Sequence, residues 1–101
     1  MLQHNVYFYL KPELSAHEKN KFVEGLKSLL TIDELVEGFI GTPGGTSVRP
    51  VIDNTYDYAL STVFKSVEQH DIYQEHPVHQ AFVNSCKGFW TLVKVYDVEI
   101  L

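Results

Sequence analysis

The hydrophobic period of this chain switches between two and 3.6 residues in a set order, and that order leaves few folds open. Residues 3–10 alternate: His4, Val6, Phe8 and Leu10 point one way, and Asn5, Tyr7 and Tyr9 the other. Aromatic and β-branched side chains at period two make a strand, and Pro12 ends its ladder. Ser15 and Glu18 then form a Ser-x-x-Glu capping box. Phe22, Val23, Leu26, Leu29 and Leu30 follow at helical spacing, with Lys19, Lys21, Glu24 and Lys27 opposite, which predicts a helix from about Ala16 to Leu30. Residues 35–41 read as a second strand ending at Gly41. Thr42 to Thr55, with two prolines, two glycines, Asp53 and Asn54, reads as a long loop rather than a phosphate-binding turn. Tyr56 to Lys65 alternates again as a third strand. A short helix over 67–75 and another opening at Pro77 and running to about Cys86 precede a last strand from Phe89 to Ile100.

The order is β-α-β-β-α-β with the second helix broken in two. That is the split βαβ, ferredoxin-like α+β arrangement, a four-stranded antiparallel sheet with helices on one face. No linker or composition shift divides the chain, so residues 1–101 read as one domain, which 11.6 kDa is enough to form. Helices cover one sheet face only, yet both faces carry apolar and aromatic residues. Tyr7 and Tyr9 oppose Val6 and Phe8, and Leu92 and Tyr96 oppose Val93 and Val95. A face open to water alternates with polar residues more cleanly. The second face is therefore expected to be buried against another copy of the chain, making a homodimer.

Charge and cysteine content exclude whole classes of function. Thirteen acidic residues against eight basic give a formal charge of −5, the wrong sign for a general nucleic-acid binder. The lone Cys86 rules out an internal disulfide framework and a multi-cysteine zinc site, and fits a reducing compartment. No apolar run is long enough to span a bilayer, and the N-terminus is a polar-interrupted strand pattern, not a signal segment. The expectation is a soluble, cytoplasmic domain that binds neither nucleic acid nor membrane.

The densest polar cluster is Tyr73-Gln74-Glu75-His76-Pro77-Val78-His79. A zinc site there would need a third placed ligand, and nothing in the sequence fixes one, so no catalytic metal and no cofactor are expected. His76 before Pro77 suits a helix cap. His79 is either a satisfied core histidine or, beside the Tyr73 phenol, half of a pair able to move a proton without metal. His4 and Tyr58 share the helix-covered face by alternation and stand as candidate ligand contacts, with Trp90 as an aromatic wall and His76 nearby. His17 and His70 read as solvated. Cys86, with no activating neighbour but Lys87, reads as a buried inert thiol.

Together these residues resemble the stress-responsive dimeric α/β-barrel (Dabb) proteins. The matching elements are His4-x-Val6-x-Phe8-x-Leu10-Lys11, Val36-x-x-Phe39 with Gly41 or Gly44 beyond it, Tyr56-Asp57-Tyr58-Ala59-Leu60 leading to Phe64, and the closing Tyr96-Asp97. The most specific element is Tyr73-x-x-His76-Pro77-x-His79 with Phe82. The chain is similar, more distantly, to the cofactor-free monooxygenases of antibiotic biosynthesis. The resemblance implies a ferredoxin-like subunit whose sheet packs on a second copy to close a barrel, with a small apolar cavity between helices and sheet. Most members have no assigned reaction. One plant branch closes polyketide chains by aldol condensation with a tyrosine and a histidine at the positions of Tyr73 and His79. Three functions are thus in view: cofactor-free binding or conversion of a small apolar or phenolic molecule, a polyketide-cyclase-like lyase, and a non-catalytic structural stress protein.

Overall fold

A computed structural model describes residues 1–101. Its elements run β1 (Leu2–Leu10), α1 (Ala16–Leu29), β2 (Glu37–Gly41), β3 (Tyr58–Phe64), α2 (Val67–Glu75), α3 (Pro77–Cys86) and β4 (Trp90–Glu99), with one 3-10 turn at Lys87–Phe89. The sheet is antiparallel throughout, in the order β2-β3-β1-β4. That is the ferredoxin-like topology expected from the periodicities. Strands β2 and β3 are shorter than their apolar patterns. Leu35 and Val36 belong to the connection between α1 and β2, with only the Val36 amide reaching the Val63 carbonyl at 2.8 Å, and Tyr56 and Asp57 close the long loop.

Local chemistry starts each helix. The Ser15 hydroxyl accepts from the Glu18 amide, and the Glu18 carboxylate accepts from the Ser15 amide, so the capping box is complete. Ser66 caps α2 through the Gln69 amide. At the α2–α3 break the backbone of His76 is extended, as a residue before proline prefers, and its Nδ1 accepts from the Val78 amide at 3.0 Å.

The inward face of the sheet carries Leu2, Val6, Phe8, Leu60 and Phe64 against Phe22, Leu26 and Leu29 of α1, Tyr73 of α2 and Phe82 and Cys86 of α3. The polar members of this layer are satisfied; the buried Thr62 hydroxyl donates to the His4 carbonyl at 2.8 Å. Helices α1 and α3 approach closely because Gly25 has no side chain, and a Cβ there would lie 2.8 Å from the Phe82 ring. The molecule is only 17 Å thick, one layer of helices on one sheet. The outward sheet face is bare. Phe39 and Tyr96 are 58% and 59% exposed, Tyr7 packs edge-on between Tyr56 and Tyr96, and the Lys94 ammonium lies over the Tyr9 ring.

Candidate functional site

A cavity of about 180 Å³ opens between the sheet and helices α2 and α3. Apolar walls come from Val6, Phe8, Leu60, Phe82 and Trp90, and polar atoms from His4, Tyr73, Gln74 and His79. Four of the six residues singled out from sequence are thus brought to one place: His4, Tyr73, His79 and Trp90. Tyr73 is 1% exposed near the C-terminal end of α2, His79 stands in the first turn of α3, and the break at Pro77 turns both rings inward to 4.9 Å, edge to face. Trp90 stacks beside Phe8 and Phe82 at the start of β4.

The other two residues lie elsewhere. Tyr58 is on the inward sheet face, as alternation predicts, but it packs against Phe22 and borders a surface depression with Lys11, Lys19 and Asp57. Parity decides the face of a strand and not the position along it, and Tyr58 sits at the far end of β3. His76 does not line the cavity, because its ring is turned back to cap α3. His70 requires the opposite correction. Its side chain is only 14% exposed, and its ring lies 4.4 Å from that of His4.

Two contributors to the site escaped the sequence reading. Antiparallel register sets Asp97 directly opposite His4, and its Oδ1 lies 2.5 Å from His4 Nδ1. A carboxylate only accepts, so Nδ1 carries the proton and the Nε2 lone pair is left free. The available signal was an acid at the inward parity of β4, continuing Val93 and Val95. His70 shares a helix face with Tyr73 and Gln74 at i+3 and i+4, and its Nε2 meets Gln74 Nε2 at 3.1 Å.

Burial sets the protonation of the cluster. It lowers the His79 pKa, and the neighbouring imidazoles of His4 and His70 lower it further. It lowers His4 as well; the hydrogen bond that His4 donates to Asp97 opposes this, and His70 adds to it. It pushes the Tyr73 phenol far up, so that group stays a hydrogen-bond donor. Neither the Tyr73 hydroxyl nor the His79 ring hydrogen-bonds within the protein, and no buried side-chain polar atom is left without a partner, so the Tyr73 hydroxyl opens onto the cavity. No three His, Cys, Asp or Glu side chains converge to hold a metal ion. Burial also raises the Cys86 thiol, which leaves it little thiolate character.

A four-stranded antiparallel sheet in the order β2-β3-β1-β4 with helices on one face defines the class of ferredoxin-like α+β proteins. Within that class the chain belongs to the stress responsive A/B barrel domain family, Dabb, whose pattern matches residues 2–100. Among curated proteins none matches the sequence. Three solved structures show the shared fold. A Dabb family protein with a ferredoxin-like fold from Mesorhizobium loti is 25% identical, with a TM-score of 0.77 over 99% of this chain and 96% of its own. A dimeric ferredoxin-like protein of unknown function from Thermobifida fusca is 18% identical, with a TM-score of 0.80 over 98% of this chain and 90% of its own. The hydroxynitrile lyase from Passiflora edulis is 21% identical, with a TM-score of 0.81 over 99% of this chain and 93% of its own.

Proposed function

We propose that the chain works as a cytoplasmic homodimer in which each subunit binds or converts a small apolar or phenolic molecule, without a cofactor, in the cavity under its helices. One observation carries this reading: Tyr73, His79 and the Asp97-held His4 meet on a single cavity, and the first two have no partner inside the protein. Polar groups kept for packing alone are normally paired. The cavity is also open space, where a purely structural stress protein needs a filled core. The single, buried, unbridged Cys86 supports the reducing compartment. The bare aromatic sheet face and the dimeric relatives of the same fold support the homodimer.

Chemistry follows from the same groups. A neutral His79 accepts a proton from a carbon acid or hydroxyl, and the Tyr73 hydroxyl donates to the oxygen that gains charge. Each role is typically worth roughly a hundredfold in rate. The second reading, a lyase of the polyketide-cyclase kind, is favoured by this pair, and a hydroxynitrile lyase shares the fold. The test is binding and turnover of Tyr73→Phe and His79→Ala on a panel of phenolic and polyketide-like compounds. Catalysis is expected to give lost turnover with retained binding in an intact dimer. Unchanged binding and turnover in both variants removes the site.

A further inference from the structure

The polar groups around the cavity share a property that goes beyond the ligand reading on which this inference rests. Those that line it are the imidazoles of His4 and His79, the Tyr73 phenol and the Gln74 amide; the His70 ring and the Asp97 carboxylate adjoin His4 outside the lining, and no lysine or arginine lines the space. From β1 comes His4, and from β4 Asp97 behind it. His70 comes from α2, backed by Asp71 and Gln74, and His79 from α3. A carboxylate entering this cavity loses its water and meets no permanent cation, whereas a neutral group of the same shape meets a free imidazole lone pair and a phenol donor. Once an imidazole takes up a proton, the same wall offers the anion a charge-assisted hydrogen bond. We propose that the cavity selects by charge: near neutral pH it takes small uncharged aromatic hydroxyl or carbonyl compounds and rejects the matching carboxylates, which it admits only after its histidine cluster is protonated.

Size agrees with this class. A dry cavity of about 150 Å³ holds benzene, so about 180 Å³ holds one ring with a small polar substituent. Benzamide and benzoate are suitable probes, because they are isosteric and neither changes charge between about pH 8 and about pH 5.5. Affinities are measured by calorimetry or ligand-observed NMR on the intact protein at both values, with circular dichroism confirming the fold. Near pH 8 benzamide is expected to bind at least about tenfold more tightly than benzoate. Near pH 5.5 benzoate is expected to gain about tenfold or more while benzamide changes by less than about twofold. Val95→Lys, at a half-exposed position on the cavity wall, adds a permanent cation and is expected to restore benzoate binding near pH 8. Equal binding of the two probes near pH 8, or a benzoate affinity indifferent to pH, overturns charge selection and leaves the ligand cavity intact. Binding of neither probe at either pH sinks the ligand reading itself, and this inference with it.

Discussion

At the scale of single residues, the site is built from pairs whose members come from different elements. His4 is buried on β1, and its Nδ1 proton has somewhere to go only because Asp97 stands opposite on β4. Leaving a buried donor unmade costs about 1–3 kcal/mol, which is reason enough for an acid following Val93 and Val95 on that strand face. The same burial makes the fold sensitive to acid. His4 and His79 titrate lower in the folded chain than the ordinary imidazole value of about 6.5, so the unfolded chain takes up their protons first. Where the unfolded state binds more protons, stability rises with pH. Unfolding free energy from urea titrations is therefore expected to be flat above about pH 7.5 and to fall as pH drops through about 6.5, well before carboxylates titrate near 4. His79→Gln is expected to flatten part of that descent. A variant curve as steep as the wild type contradicts the assignment.

At the scale of elements, the cavity is shaped by the two ends of α3, its break from α2 at Pro77 and its close packing on α1 further along. The capping box sets where α1 begins, and the His76 cap with Pro77 sets where α3 begins and which way its first turn faces. His76 thereby acts on the cavity at one remove, through the direction it gives His79. Gly25 governs the other end. Its missing side chain lets Phe82 and Cys86 of α3 sit against α1, and Phe82 is also a cavity wall. Gly25→Val is expected to push α3 outward and destabilise the protein by about 2 kcal/mol, the usual cost of overpacking, despite valine's better helix propensity. Thermal unfolding of the purified variant checks this. A melting temperature equal to or above the wild type means the two helices have slack that the close approach does not suggest.

At the scale of the whole molecule, a 17 Å slab leaves aromatic residues on an uncovered sheet face. A second copy laid on that face would bury Tyr7, Phe39, Leu92 and Tyr96, and stable interfaces of this kind bury on the order of 2,000 Å² or more in total. Tyr7→Glu is expected to split the dimer and lower stability together, because folding and association are linked. Sedimentation at micromolar concentration reads this directly; a wild-type monomer, or a fully dimeric variant, refutes the barrel. The element order, the Ser15–Glu18 capping box, the His76 cap before Pro77 and the inward parity of His4 were legible in the sequence. Each follows from local periodicity, from a side chain bonding its own backbone a few residues away, or from proline's fixed geometry. The sequence alone also pointed to the bare face, since the aromatic residues there break the alternation that a wetted sheet keeps. What it could not carry was distance across the fold. Tyr58 and His4 have the same parity, yet only one reaches the cavity, because position along a strand is decided by where the helices cross it. Asp97 and His70 became part of the site through the β1–β4 register and the docking of α2. Those pairings are fixed by packing between segments far apart in the chain, and no local pattern encodes them.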